Sequence, residues 1–166
     1  VSFVGRSQLP WGDGMPGTEI SDMEVVRLAD RSFMVSVSAL GNYVAAQMLN
    51  ANGTAGGARM LWADRGLGLN QPSHVTTVTV GSVTYVIVAS AQSSSLTTLR
   101  LTYSGELLPS DHIIDELTTR FRGATALDSV TINGRAYVFV GGGDDGISVF
   151  TITPDGRLLH LVAMAD

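Results

Sequence analysis

The sequence predicts an all-β protein made of about three four-stranded antiparallel units, and three observations lead there. The first is a repeat. Tyr137 falls on Tyr85 and then on Phe33; Ile152 falls on Leu101 and Leu49; Gly156 falls on Gly105 and Gly53; Asp166 falls on Asp115 and Asp64. The spacing is about 51 to 52 residues each time, within the range of repeat arrays and propeller blades. The second is turn chemistry. Asn133-Gly134 stands between apolar runs and suits a type I′ hairpin, and Pro154-Asp155-Gly156 presets one φ and accepts a positive one. The third is a gradient: the second strand is the most apolar one in the second and third copies (YVIVA, YVFVG), as it should be where neighbouring units cover both faces. Together they predict β-propeller blades forming part of a larger or oligomeric propeller, because three blades are too few to close a ring.

The last copy sets the pattern for the others. Residues 125–132, 136–140, 147–153 and 157–163 read as its strands a to d, separated by Asn133-Gly134, by the loop 141–146 and by Pro154-Asp155-Gly156. In the first copy, 23–28 (MEVVRL) is strand a, 32–37 strand b, 43–49 strand c and 58–63 strand d, with a wide c–d turn over 50–57. In the second, the strands are 75–80, 85–89, 96–103 and 107–114. The organisation is therefore 1–22 as the end of a preceding blade plus a loop, 23–64 as blade one, 75–115 as blade two and 124–166 as blade three. Residues 1–4 read as an outer strand, 5–21 as a long Gly/Pro loop, and Trp11 within it as a side chain needing cover.

Composition bounds the function. Of 166 residues, 45% are hydrophobic and 15% charged, which predicts a packed core and excludes disorder. A formal charge of −5 argues against a nucleic-acid partner. No cysteine is present, so neither disulfides nor thiol chemistry enter. No apolar run reaches the roughly 18 residues of a membrane span. The chain opens at Val1 without a visible signal peptide, which reads as a processed or fragmentary chain. The expected partner is the remainder of its own chain or another copy of itself, and the 166 residues alone are not expected to be a well-behaved monomer.

Candidate chemistry is sparse. Asp144-Asp145 in the loop 141–146 is an acidic pair of the kind that contributes to Ca²⁺ sites, but two carboxylates alone supply too few oxygens, and the reading favoured is a b–c turn, where Asp and Gly are preferred anyway. Asp64, Asp115 and Asp166 recur after strand d, which points to an architectural role at each blade crossing. His74, His112 and His160 occupy non-equivalent repeat positions, without metal-ligand spacing. The tract Ser93-Ser94-Ser95 lacks the Gly-x-Ser-x-Gly elbow, and Gly141-Gly142-Gly143 precedes a strand rather than the helix a phosphate loop needs. Asn52-Gly53-Thr54 matches a glycosylation sequon at a turn. These residues define no catalytic set, no cofactor site and no metal site.

The third copy, VFVGGGDDGISVFTITPDGRLLHL, resembles the propeller-like regions of alphaproteobacterial secreted proteins of the hemolysin-type (RTX) calcium-binding class, which carry similar Gly-Gly-Asp-Asp-Gly and Gly-Arg-Leu-x-His-Leu segments. More distantly it resembles the lactonase-like seven-bladed propellers, which include 6-phosphogluconolactonase, through the x-Asp-Gly-x-Leu pattern at Asp155-Gly156-Arg157-Leu158. The first resemblance implies a secreted or surface module, extracellular or on the bacterial cell surface, used for binding or assembly. Calcium would bind elsewhere in the full-length protein, because the calcium-binding nonapeptide tract is missing here. The second implies a hydrolase with its site at the central channel.

Overall fold

The computed structural model describes residues 19–63 and 66–165. Twelve strands form three four-stranded antiparallel sheets, each in sequential order. Blade one comprises β1 (Asp22–Leu28), β2 (Arg31–Ser38), β3 (Tyr43–Leu49) and β4 (Ala55–Trp62). Blade two comprises β5 (Pro72–Val80), β6 (Val83–Ser90), β7 (Ser95–Leu101) and β8 (Leu107–Ile114). Blade three comprises β9 (Ala126–Ile132), β10 (Arg135–Gly141), β11 (Gly146–Ile152) and β12 (Leu158–Ala165). These are propeller blades: the first strands of successive blades lie against each other, while the last strands scarcely touch. The predicted strand 1–4, residues 5–18 of the predicted loop 5–21, and Trp11 lie outside the described residues, as do Asp64 and Asp166.

The register agrees with the repeat. Phe33, Tyr85 and Tyr137 pair with Val26, Val78 and Val130, the same position of strand a in each blade. Leu49, Leu101 and Ile152 each end strand c. The c–d turn closes identically three times: Asn50 N donates to Thr54 O, Thr102 N to Glu106 O, and Thr153 N to Arg157 O. In each turn the glycine N–H also donates back, Gly53 to Asn50 O, Gly105 to Thr102 O and Gly156 to Thr153 O, all at 2.9 Å. The turn of blade one is thus narrower than its Gly-rich sequence suggests. Strand d begins at Ala55 rather than 58, and the Gln47 side-chain amide donates to Gly56 O at 2.9 Å where the β3–β4 register shifts.

Two cores separate the blades. Phe33, Val35, Val37, Val44 and Ala46 of blade one meet Val75, Val86, Val88, Leu99 and Leu101 of blade two. The opposite face of blade two, with Val78, Tyr85, Ile87, Ala89 and Leu96, meets Ala136, Val138, Val140, Phe150, Ile152 and Leu158 of blade three. β6 is accordingly buried from Thr84 to Ser90, which explains its unbroken apolar run. Two of the three strand-b aromatics pack between described blades. Phe33 and Tyr85 are buried, but Tyr137 is only half-buried, because it points to the side of blade three away from blade two, where no described element covers it.

Asn133 and Gly134 have φ of 51° and 77°, the two positive values a type I′ turn requires. A Cβ on Gly134 would meet nothing within 4 Å, so a substitution there acts through the backbone. Gly134→Val should cost roughly 1–3 kcal/mol, read as a lowered denaturation midpoint with an unchanged slope.

Candidate active site on the inner strands

Strand alternation sorts the first strand of each blade into two sides. In β1, Val26 and Leu28 join the core shared with blade two, so Asp22 and Glu24 face blade two as well. The structure uses both. Asp22 Oδ2 accepts from Val75 N at 3.0 Å, and Glu24 Oε1 accepts from Thr77 Oγ1 at 2.8 Å. The next pair of inner strands repeats the contact with neutral groups: Thr76 Oγ1 and Ser129 Oγ lie 2.8 Å apart, and Ser129 Oγ donates to Thr77 O at 3.1 Å. A polar stripe therefore runs across β1, β5 and β9.

His74 lies at the same repeat position as Asp22, and its Nδ1 is 3.1 Å from Ser73 Oγ. Ser73 Oγ in turn lies 3.1 Å from Ala124 O, tying the start of β5 to the start of blade three. Asp128 is exposed on β9, with one carboxylate oxygen accepting from Ser129 N at 2.7 Å. An imidazole and three carboxylates thus lie on neighbouring inner strands, held by backbone and hydroxyl groups rather than by cations. Among the described residues no group of three or more His, Cys, Asp or Glu side chains could hold a metal ion. The stripe suits proton transfer and hydrogen bonding to a hydroxyl-rich ligand.

The other candidates have mostly structural places. Asp115 Oδ1 accepts from Thr119 Oγ1 at 2.8 Å and from Phe121 N at 3.1 Å, which fastens the crossing into blade three. Asp145 takes a positive φ of 50° in the b–c loop. The neighbouring Asp144 carries one buried carboxylate oxygen without a hydrogen-bond partner, while its carbonyl accepts from Arg120. Ser93 and Ser95 both donate to Gly68 O, at 2.8 and 2.9 Å, and clamp the linker. Gly142 is required by packing: a Cβ there would lie 2.4 Å from the Phe121 carbonyl carbon. Asn52 Oδ1 accepts from Thr54 within the c–d turn. His112 and His160, dissimilar in sequence position, share the wall of one groove of about 380 Å³ between β8 and β12, with Glu116 and Phe150.

A second contact set was not visible in the sequence, although its members were. Two of the three strand-b aromatics rest on the c–d glycine of the following blade: a Cβ on Gly105 would lie 2.9 Å from Phe33 Cε1, and one on Gly156 would lie 2.5 Å from Tyr85 Cε1. Both interfaces also supply a donor to the second carbonyl of that turn. Arg31 donates to Tyr103 O at 3.1 Å and stacks on the Tyr103 ring, whose hydroxyl reaches Asp30 at 2.8 Å and holds that carboxyl below its ordinary value. In the next interface Val83 replaces Arg31, and Tyr85 Oη donates to Pro154 O at 2.7 Å instead.

Burial raises the Tyr85 phenol above its ordinary value, with Arg100 opposing and Asp155 adding to the shift. The neutral phenol therefore contributes stability below the unfolded value of about 10, which is lost as pH rises through the folded one. Tyr85→Phe should lose about 0.5–1.5 kcal/mol at neutral pH. It should also lose less than the parent on going above about pH 10, as urea melts at the two pH values would show.

Fold and stripe together define a partial propeller with acid–base groups on its inner strands. No family model matches the chain, and no characterised protein matches it in sequence. Its likeness to solved structures is one of fold. A Lactobacillus plantarum protein aligns at a TM-score of 0.66 with 20% identity, over 89% of this chain and 42% of that one. A Bacteroides uniformis protein assigned as a 6-phosphogluconolactonase aligns at 0.66 with 16% identity, over 89% and 41%. The periplasmic gluconolactonase of Pseudomonas aeruginosa aligns at 0.61 with 19% identity, over 86% and 40%. The chain thus spans about two fifths of the length of these neighbours. Two of the three carry lactonase names, and none of the three is named as of the hemolysin type.

Proposed function

We propose that these blades belong to a lactonase-like hydrolase acting on a sugar lactone, with the inner-strand stripe forming part of its site. The carrying observation is that stripe: Asp22, Glu24, His74 and Asp128 on adjacent inner strands of a propeller whose fold neighbours include a gluconolactonase. Lactone hydrolysis asks for little more than such groups. Water adds to the ring carbonyl as a base takes its proton, and the ring C–O bond breaks as the leaving oxygen is protonated. His74, braced by Ser73, is the group suited to carry that proton. Asp22 and Glu24, held by Val75 N–H and Thr77 O–H, are set to bind sugar hydroxyls.

The polypeptide carrying these blades should release acid from glucono-δ-lactone or its 6-phosphate faster than the spontaneous reaction, followed with a pH indicator. His74→Ala should lower kcat by about 10²–10⁴-fold, the usual contribution of a general acid–base group. No rate above the spontaneous one would refute the reading. The alternative reading, a surface module for binding or assembly, draws its support from the uncovered side of blade three.

A further inference from the structure

The uncovered side of blade three copies, position by position, the side of blade two that blade three covers. Val78, Val80, Tyr85, Ile87 and Leu96 of blade two correspond to Val130, Ile132, Tyr137, Phe139 and Ile147. Val78, Tyr85, Ile87 and Leu96 are 0–6% exposed, whereas Val130, Ile132 and Ile147 are 42%, 52% and 44% exposed. The same face carries both donors that serve the two formed interfaces. Arg135 stands where Arg31 does, and Tyr137 where Tyr85 does. Arg135 lies over the Tyr137 ring of its own blade, at 5.5 Å from the centroid.

We infer that this face is an interface for a fourth blade of the same polypeptide, and that Asp128 selects which blade fits. The occupant must present a c–d glycine to Tyr137, a turn carbonyl to Arg135 or the Tyr137 hydroxyl, and a hydroxyl opposite Asp128. The last requirement follows from the inner-strand rungs. Glu24 meets Thr77, and Thr76 meets Ser129; the next rung begins at Asp128, at the repeat position of Glu24 and Thr76. A second copy docking through its own blade one would bring Val25 to that rung, the repeat equivalent of Thr77 and Ser129, and leave the Asp128 carboxylate facing an apolar side chain. The face therefore fits continuation by a different blade better than head-to-tail association of this chain.

Two extended chains test this. One appends residues 64–115 after Asp166, supplying Thr77 and Gly105; the other appends 19–64, supplying Val25 and Gly53. The probe is nitration of Tyr137 by tetranitromethane, read by mass spectrometry and compared with the unextended chain. The blade-two extension should slow nitration roughly tenfold or more, the change that about 1.4 kcal/mol of closure gives. The blade-one extension should protect less, and Asp128→Ala should erase that difference. Failure of the blade-two extension to protect Tyr137 overturns the interface, and equal protection by both extensions overturns selection by Asp128. Concentration-dependent protection of Tyr137 in the unextended chain, with dimers in sedimentation, would show that a second copy is the occupant instead.

Discussion

Truncation of Phe33 to alanine is expected to lower the unfolding free energy by about 3–5 kcal/mol. Phe33 is 1% exposed and sits in the core between blades one and two, with its ring over the Gly105 turn. The truncation loses the transfer energy of the ring and leaves a cavity that the β-sheet backbones on both sides cannot readily close. Blade one should loosen from blade two before either sheet melts. Urea denaturation would show the loss, and hydrogen exchange should show it first at β2 and at the Gly105 turn. The same truncation at Tyr137 should cost much less, because that side chain is half-buried on an uncovered face.

The second large effect is expected at Gly156. Its φ is +87°, and a Cβ would lie 2.5 Å from Tyr85 Cε1 and 2.9 Å from Ser110 Cβ. Gly156→Ala therefore combines left-handed strain of about 1–2 kcal/mol with overpacking of about 1–3 kcal/mol. Gly53 is the internal control. It has the same turn and a φ of +79°, but a Cβ there meets nothing within 4 Å. Gly53→Ala should cost the strain of about 1–2 kcal/mol and no more. Paired thermal melts would separate the backbone part from the packing part.

Turn chemistry made the blades legible in the sequence. Asn133-Gly134 and Pro154-Asp155-Gly156 fix hairpins locally, and a 51- to 52-residue repeat carries those hairpins back through the chain. Where local signals were ambiguous, as in YVAAQML at residues 43–49, the repeat placed strand c correctly. Contacts between blades were not legible. Tyr85 and Gly156 are 71 residues apart and both are repeat landmarks, but nothing in either local sequence says that one rests on the other. The inner-strand stripe stayed hidden for a similar reason. Asp22 and Glu24 look like solvated edge residues until β5 is placed against β1, and His74 gains its setting from Ser73 and the start of blade three. The wide c–d turn expected over 50–57 narrowed because the Gln47 side chain caps Gly56 O, a contact across the hairpin that residue spacing does not encode.

Blades one and two each clip to the next blade by seating a strand-b aromatic on a c–d glycine. A double-mutant cycle on Tyr85→Ala and Gly156→Ala tests it most directly. If the ring occupies the space a Cβ would need, removing the ring makes room for the methyl group. Gly156→Ala should then cost at least about 1 kcal/mol less in the Tyr85→Ala background than in the parent. Costs that add to within about 0.5 kcal/mol would mean the two residues act independently, and would contradict the account.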